Sequence, residues 1–338
     1  MTTVGGGVAT FPFFVGCGRS GTTLVRAMFD SHADMAVVYE SSFISTLVRQ
    51  RRHYERPEGF DRTGFLADLT SHFAFDTLGT SAPELARVLR DDPPQTTADA
   101  IRRVYGDYAR RQGKHRYADK TPMYVNVVPV LADAFPEARF VHILRDGRNV
   151  ALAYMSVPWG PMGLVDATLY WKRNVERGRR AGRRLGPERY REVAYERLVH
   201  EPEQVLMELC PFLGLEFDPA MLRYFDRVDR VLASIDNPQH HRGLSMPVTK
   251  GMRDWRTGME PPDVCAFELL AGESLTRMGY ERSAEQPSLR LRASVHAARA
   301  RVEAGRLVHR LGKEMQRVRQ ANVPGAGLVA VRSRLGGR

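Results

Sequence analysis

The residues with the clearest chemical meaning form a glycine-rich stretch near the N-terminus, Gly16-Cys17-Gly18-Arg19-Ser20-Gly21-Thr22-Thr23. It lies between an apolar run that predicts a strand, Phe11–Val15, and a run that predicts a helix, Thr22–Ser31. Glycines permit a tight loop, and the N–H groups of such a loop and of the following helix N-terminus bind anions. The order strand, loop, helix therefore favours a phosphate-binding loop over an ordinary glycine-rich turn.

The loop departs from the nucleoside-triphosphatase pattern GxxxxGK[ST] in one position that matters. Thr22 occupies the place of the lysine, and the basic residue, Arg19, lies inside the loop. A kinase or ATPase with this loop would lack its clamp on the β- and γ-phosphates. A P-loop kinase is therefore an alternative that the missing lysine disfavours.

Three further groups of polar residues also follow runs that predict strands. Glu40 follows Met35–Tyr39, and the segment Asp119-Lys120-Thr121-Pro122 follows His115–Ala118. Arg145 and Arg148 follow Arg139–Leu144, and guanidinium groups bind phosphate in a bidentate manner. Each group taken alone is also compatible with a solvated surface. The carboxyl ends of parallel strands meet at one edge of a sheet, so all four groups together predict one site.

Strands alternate with helices along the chain, which predicts an α/β fold: a three-layer sandwich with a mainly parallel sheet and a P-loop-like binding loop. The last predicted strand is Arg191–Ala194. The helices predicted after the glycine-rich loop are Thr22–Ser31, Ser41–Arg51, Val125–Ala134, Gly147–Ser156, Asp166–Arg183, Glu203–Phe212 and Asp263–Met278.

Composition excludes several classes of protein. The chain has 338 residues, of which 43% are hydrophobic and 26% are charged, in the range of globular proteins. It has neither the ~18 consecutive apolar residues of a membrane helix nor a signal peptide. The three cysteines show no spacing typical of a disulfide framework or a zinc site. We therefore expect a cytoplasmic protein without a metal site.

The net charge of +11 is concentrated in the C-terminal 53 residues, 286–338, which carry +10. The near-neutral remainder does not have the surface of a nucleic-acid-binding protein, so we expect no nucleic-acid partner. The sequence therefore predicts a catalytic domain at 1–285 and a basic, partly helical extension at 286–338. Apolar residues recur there at spacings of three to five. Packing on the protein's own body, a homodimer or other partner contact, and an anionic membrane surface are the alternatives.

Taken together, these motifs resemble those of the sulfotransferases that use 3′-phosphoadenosine-5′-phosphosulfate (PAPS), and most closely the tyrosylprotein-sulfotransferase-like branch with its bacterial relatives. The resemblance covers roughly residues 11–282. The 15 residues from Gly18 to His32 resemble the 5′-phosphosulfate loop and its helix. Three segments beyond that loop also resemble motifs of the family. The start of the 3′-phosphate motif is similar to Arg145-Asp-Gly-Arg148, and the segment on the adenosine side is similar to Tyr195-Glu-Arg-Leu-Val199. The family's Lys-Gly…Trp motif is similar to Lys250-Gly251 followed by Asp254-Trp255.

The resemblance implies a role for each group. Gly18, Arg19, Ser20, Gly21, Thr22 and Thr23 would hold the 5′-phosphosulfate. Arg19 and Lys120 would neutralise charge on the sulfuryl group and its bridging oxygen, and Arg145 would bind the 3′-phosphate. Glu40 occupies the position of the general base, which takes the proton of the acceptor hydroxyl. Such a transfer depends on positioning and electrostatic stabilisation, and needs PAPS as co-substrate but no metal.

Two positions depart from the family pattern. Ala153 stands where the 3′-phosphate motif usually has a serine, and Ser156, one helical turn further on, is the candidate substitute. The serine that assists the transferring sulfuryl group has no clear match near Pro238–Met246, where Ser245, His240 and His241 are the alternatives. His142 lies inside a predicted buried strand, and we expect a structural role for it.

None of these motifs specifies the acceptor. The Golgi enzymes of this branch carry an N-terminal membrane anchor that we do not find in this sequence. We therefore expect a small-molecule, lipid or glycan acceptor, with tyrosine sulfation of a peptide or protein as the alternative. Residues 50–92 and the loop Val157–Val165, which contains Trp159 and Met162, are expected to shape the acceptor pocket.

Overall fold

The structure is a computed structural model that describes residues 10–227, 244–246, 254–283 and 285–321. Its centre is a sheet of five parallel strands in the order β2-β5-β1-β6-β7. A separate antiparallel hairpin joins β3 to β4. The strands are β1 (Phe11–Gly16), β2 (Met35–Tyr39), β3 (Glu55–Arg56), β4 (Gly59–Phe60), β5 (Arg116–Lys120), β6 (Ala138–Leu144) and β7 (Tyr190–Ala194).

Helices cover both faces of this sheet. They are α1 (Thr22–Ser31), α2 (Ile44–Arg49), α3 (Arg51–Tyr54), α4 (Arg62–Ser71), α5 (Ala82–Asp91), α6 (Thr97–Arg111), α7 (Val128–Ala134), α8 (Gly147–Met155), α9 (Leu164–Leu185), α10 (Tyr195–His200), α11 (Pro202–Phe212), α12 (Trp255–Gly258), α13 (Pro261–Thr276) and α14 (Leu289–Ala321). Short 3₁₀ helices cover Phe75–Leu78, Pro122–Asn126 and Pro219–Arg227.

The alternation of side chains along β1 explains why helices cover both faces. Phe11 and Phe13 pack in the cluster formed with α2, α4, α5, α6 and α7, whereas Phe14 packs with Phe29 of α1 on the other face. Strands that are buried on both sides are largely apolar, as β1 is and as β6 is apart from Arg139 and His142. The predicted three-layer α/β sandwich with a parallel sheet is confirmed.

The predicted strands agree with the observed ones to within two residues at each end. The predicted helix Ser41–Arg51 is instead two helices, α2 and α3, which meet at Gln50. The helix predicted at Val125–Ala134 begins at Val128, after a 3₁₀ helix, and carries a proline in its first turn. Proline lacks the N–H that a helix interior requires, so it is tolerated at a helix start.

The strand order places the glycine-rich loop where ligands bind in open α/β sheets. The chain leaves β1, reaches β2 and returns through β5 on one side, and then crosses to β6 on the other side. Strand order therefore reverses at β1, and the crevice beyond the carboxyl end of that strand is the usual ligand site. The residues after β1, β2, β5 and β6 all lie at this edge.

The C-terminal helices pack against the same body. Phe267 of α13 contacts Trp171 of α9, with ring centroids 5.5 Å apart. Val295 of α14 is buried against Ala266 and Leu270 of α13. Within the described ranges, no helix combines the length and the apolar character needed to cross a membrane.

Candidate active site

The glycine-rich loop connects β1 directly to the ten-residue helix α1. Gly21 is the N-cap of α1 and has a φ of 91°, in the left-handed region that favours glycine. No side chain of the described part caps this helix by a hydrogen bond. The N-terminus of α1 therefore presents backbone N–H groups and the positive end of the helix dipole at the sheet edge.

Two tyrosines from distant parts of the chain enclose the loop. A Cβ at Gly18 would lie 2.3 Å from the Oη of Tyr154, and a Cβ at Gly21 would lie 2.2 Å from Cδ2 of Tyr195. Any side chain at either position would clash with a ring. Close approach thus requires glycine at both positions, and at Gly21 the backbone conformation favours it as well.

Arg145 joins the end of β6 to this loop. Its Nη1 donates a hydrogen bond to the carbonyl oxygen of Arg19 (3.2 Å), and its guanidinium stacks 4.4 Å from the ring centre of Tyr195. Arg145 is buried. The structure therefore brings together the loop, the arginine after β6 and the tyrosine at the start of α10, which are far apart in the sequence.

Ser20 is the member of the loop whose side chain most needs a further partner. It is fully buried, and its Oγ forms no hydrogen bond with any residue in the described part of the chain. Buried hydroxyls are nearly always hydrogen-bonded, so an orphan of this kind at a helix N-terminus indicates a ligand. An anionic oxygen fits this position, since the Ser20 hydroxyl can donate to it.

Glu40 and Lys120 form an ion pair across two neighbouring strands. Tyr39 of β2 and Lys120 of β5 are in register, and the Glu40 N–H donates to the Lys120 carbonyl oxygen (2.8 Å). Lys120 Nζ donates to Glu40 Oε1 at 2.7 Å and lies 3.9 Å from the ring centre of Tyr39. The lysine side chain is fully buried, whereas that of the glutamate is 43% exposed. The carboxylate can thus meet a molecule that arrives from solvent.

The environment of Lys120 shifts its titration towards neutrality. Burial lowers the pKa of the Lys120 ammonium to about 8, although the Glu40 carboxylate partly opposes this by favouring the charged form. Arg26 adds a small repulsive contribution. Lys120 therefore loses its proton only just above neutral pH, unlike an ordinary surface lysine.

Arg26 is a site residue whose role the sequence motifs did not indicate. It projects from α1 and is buried, with Cζ 4.8 Å from the ring centre of Tyr39 and Nε donating to the Val37 carbonyl oxygen (3.3 Å). Tyr39 thus lies between Arg26 and Lys120. The available signal was an arginine in the middle of the apolar run that follows the loop.

Asp119 lies one residue before Lys120 and so points to the opposite face of the sheet. It is fully buried and accepts a hydrogen bond from Tyr105 Oη (2.7 Å). Burial raises the pKa of the Asp119 carboxyl to about 6, although its hydrogen-bond donors act in the opposite direction. Asp119 therefore carries a destabilising charge at neutral pH directly beneath the site.

Arg148 has a different environment from Arg145. Its guanidinium is buried in ion pairs with Asp146 (2.7 Å) and Glu268 (2.8 Å), and it stacks 3.6 Å from the ring centre of Trp255. These contacts connect α8 to α12 and α13. Of the two arginines predicted after β6, Arg145 faces the loop, whereas Arg148 holds helices together.

Several sequence-predicted residues lie at the periphery or outside the described residues. Ser156 is exposed at the end of α8, where its Oγ donates to the Ala153 carbonyl oxygen (3.0 Å). Ser245 is exposed. His142 is fully buried beside Tyr190, and burial lowers its pKa to about 3, so it is neutral. The candidates that lie outside the described residues are His240, His241, Lys250 and Gly251.

Comparison with known proteins agrees with this geometry. A family model described as the sulfotransferase family matches residues 12–219. The protein-tyrosine sulfotransferase of Drosophila melanogaster is 24% identical over 286 residues, which cover 81% of this chain and 52% of the fly protein. The chain therefore spans about half the length of that relative.

Solved structures show the same fold. The sulfotransferase domain of the Synechococcus PCC 7002 olefin synthase superposes with a TM-score of 0.54 at 23% identity, covering 81% of this chain and 95% of that domain. The sulfotransferase domain from the curacin biosynthetic pathway gives a TM-score of 0.56 at 19% identity, covering 82% and 99%. The family model spans more than half of the chain, and the resemblance predicted from the motifs is confirmed at the level of the family: the chain belongs to the sulfotransferase family.

Proposed function

We propose that the protein transfers the sulfuryl group of PAPS to a hydroxyl group of an acceptor. The observation that carries this proposal is the position of the Glu40–Lys120 ion pair beside the glycine-rich loop. Lys120 is in register with Phe14 of β1, two residues before the loop begins at Gly16, and with Tyr39 of β2 on its other side. A buried cation, a half-exposed carboxylate and an anion cradle thus share one sheet edge.

The donor-binding residues are those that the motifs indicated. The loop residues Gly18, Ser20, Gly21, Thr22 and Thr23 fit the 5′-phosphosulfate, because the loop and the start of α1 offer backbone N–H groups and because the buried Ser20 hydroxyl has no hydrogen-bond partner among the described residues. Arg145 and Tyr195, stacked on each other, fit the 3′-phosphate and the adenosine side. Ser156, Lys250 and Gly251 remain predicted donor ligands.

When bound, PAPS supplies a sulfuryl group that is ready to leave its 5′-phosphate. Lys120 and Arg19 provide the positive charge that stabilises oxygens near this group, and most strongly where negative charge develops. Glu40 accepts the proton of the acceptor hydroxyl at its exposed carboxylate oxygen. Lys120 holds the other end of that carboxylate, which fixes its direction before the acceptor arrives.

The acceptor that we propose is a small molecule, a lipid or a glycan in the cytoplasm. The solved relatives named after olefin synthase and curacin biosynthesis support a role in a biosynthetic pathway, whereas the fly relative acts on protein tyrosine. Tyrosine sulfation of a peptide therefore stays the alternative. A homodimer and contact of the C-terminal extension with a membrane surface are likewise predictions.

The direct test compares two nucleotides by titration calorimetry. Adenosine 3′,5′-bisphosphate should bind the protein without metal, whereas ATP with Mg²⁺ should not bind measurably. If ATP with Mg²⁺ binds and adenosine 3′,5′-bisphosphate does not, the result would favour a P-loop kinase and contradict the proposal. Incubation of the protein with labelled PAPS and host metabolite extracts would then identify the acceptor by its label.

A further inference from the structure

A cavity of about 340 Å³ lies beside the glycine-rich loop and is lined by residues from three separate parts of the chain. Its walls include Tyr154 from α8, Trp159 from the following loop, and Tyr170 and Arg173 from α9. The remaining wall includes Arg306, which belongs to α14 in the C-terminal extension. The extension therefore reaches a pocket of the catalytic body.

The aromatic side of this cavity touches the residues proposed to act on the donor. The Oη of Tyr154 approaches Gly18 so closely that a Cβ there would lie 2.3 Å away. The Cζ of Arg19 lies 5.9 Å from the ring centre of Trp159, and Tyr170 Oη lies 2.8 Å from Sδ of Met123, three residues after Lys120. A molecule in this cavity would lie next to the glycine-rich loop and to the residues that follow Lys120.

The other side of the cavity is positively charged. Arg306 forms an ion pair with Asp166, whose second oxygen accepts a hydrogen bond from the Met162 N–H (3.1 Å). Asp166 thereby connects α14 to the loop before α9. Arg173 forms no hydrogen bond or ion pair with another residue among those that the structure describes. One carboxylate thus faces two guanidinium groups, and a net positive charge remains at the cavity wall.

The charge at Arg173 is costly without an anion. Burial lowers the pKa of the Arg173 guanidinium, and the nearby Arg306 and Arg177 act in the same direction, whereas Asp166 and Tyr170 partly oppose them. A partly buried arginine whose neighbouring carboxylate, Asp166, is already paired with a second arginine, Arg306, is typical of a site that binds an anionic ligand. The aromatic rings on the opposite wall suit an apolar ligand body.

We propose that Arg173 and Arg306 bind an anionic group of the acceptor, so that the preferred acceptor is an aromatic or apolar hydroxyl compound with a carboxylate or a similar anion. The C-terminal helix α14 is then part of the acceptor site. This inference rests on the proposed function, because it assigns the cavity to the acceptor. It adds the chemical class of the acceptor and the residues that select it.

The test uses pairs of probes that differ only in the anion: 3-(4-hydroxyphenyl)propanoate and its methyl ester, and 6-hydroxy-2-naphthoate and its methyl ester. Their dissociation constants are measured by calorimetry on the full chain with saturating adenosine 3′,5′-bisphosphate. In at least one pair, the acid should bind about tenfold or more tightly than the ester, as expected for hydrogen bonds between charged groups. Arg173→Gln and Arg306→Gln should each reduce this preference.

Matched controls separate anion binding from general loss of charge. Arg299 lies on the same helix as Arg306 and also pairs with one carboxylate, that of Glu303 (2.8 Å), but does not line the cavity. Arg177 is one helical turn from Arg173 and donates to Asn126 (3.0 Å). Arg299→Gln and Arg177→Gln should keep the preference for the acid. Thermal melting of all four variants shows whether each folds.

The titrations distinguish failure of this inference from failure of the proposed function. If adenosine 3′,5′-bisphosphate binds but no acid is preferred in either pair, the anion site is wrong and the proposed function stands. The anion site is also wrong if the control variants lose the preference as fully as Arg173→Gln. If the acid is preferred but adenosine 3′,5′-bisphosphate does not bind, the cavity binds anions and the proposed sulfuryl transfer is wrong.

Discussion

Replacement of Glu40 by glutamine is the sharpest test of the proposed chemistry. Glutamine keeps the size of the side chain and an oxygen that can accept from Lys120 Nζ, now 2.7 Å from Glu40 Oε1, but it cannot accept a proton from an acceptor. A well-placed general base contributes about 100- to 10,000-fold to the rate. We therefore expect turnover in Glu40→Gln to fall by that factor, while affinity for adenosine 3′,5′-bisphosphate changes little.

The same replacement has a second effect, on Lys120. The Glu40 carboxylate raises the pKa of this lysine against the larger effect of burial, and the result is a pKa of about 8. Without the carboxylate, the pKa of Lys120 falls. A step that needs charged Lys120 is fast below this pKa and is lost as pH rises through it. The wild-type kcat/KM should therefore decline above about pH 8, and the residual activity of Glu40→Gln should decline at lower pH.

The assay follows transfer of label from PAPS to an aliphatic alcohol, because an alcohol does not ionise in this pH range and a phenol would add its own titration. The matched control is Glu208→Gln. The Glu208 side chain is 46% exposed and pairs with Arg197 away from the loop. Near-normal turnover in Glu40→Gln would transfer the role of base to another residue, with His240 and His241 first in order. An unshifted alkaline decline would refute the coupling between Glu40 and Lys120.

Four further outcomes are expected. Arg145→Ala should mainly weaken binding of adenosine 3′,5′-bisphosphate in calorimetry, because its proposed phosphate does not react, whereas Arg19→Ala should mainly lower kcat; equal effects would contradict these roles. Gly21→Ala should abolish nucleotide binding, because the new Cβ would lie 2.2 Å from Tyr195. The control is Gly79→Ala, where φ is 55° and a Cβ meets no neighbouring atom; it should lower the free energy of unfolding by only about 1 kcal/mol, as followed by thermal melting. Asp119→Asn should stabilise the protein by at most about 3 kcal/mol at pH 7, because burial raises the pKa of this carboxyl from 3.8 to about 6 in the folded protein. The gain in stability should vanish below pH 4, where the carboxyl is protonated in both the folded and the unfolded protein. Truncation after residue 285 should leave nucleotide binding intact and remove the preference for anionic acceptors; loss of nucleotide binding by a folded truncated protein would show that the extension belongs to the donor site.

The sheet and the donor loop could be predicted from the sequence because their signals are local. An apolar run, a glycine-rich loop and a helix start lie within about twenty residues, and in a parallel sheet the carboxyl ends of all strands share one edge. Placing Glu40, Lys120 and Arg145 at that edge therefore required only that each follow a strand. Their order along the sheet was not needed for this prediction.

The contacts of these residues could not be predicted, because they depend on packing between distant segments. The Glu40–Lys120 pair joins residues 80 positions apart, and its geometry depends on the register of β2 with β5. Arg145 and Arg148 follow the same strand, yet Arg148 pairs with Glu268, 120 residues away, and is removed from the loop. Arg306 reaches the cavity because α14 packs on α13 and α9. Charge and spacing do not encode such partners.

The strained backbone and the buried charges at the carboxyl edge of the sheet support the proposal that this edge is the active site. Among the residues that the structure describes, the non-glycine residues with positive φ are Arg19, Glu40 and Ser42, and all three lie at the carboxyl edge of the sheet. Each such conformation costs about 1–3 kcal/mol, and a fold retains it where the surrounding structure over-determines it, as at active sites. Lys120 and Asp119 add two buried charges with shifted pKa values at the same edge. Selection for stability alone would remove this strain and burial, so their concentration here supports the proposal that this edge of the sheet is the active site.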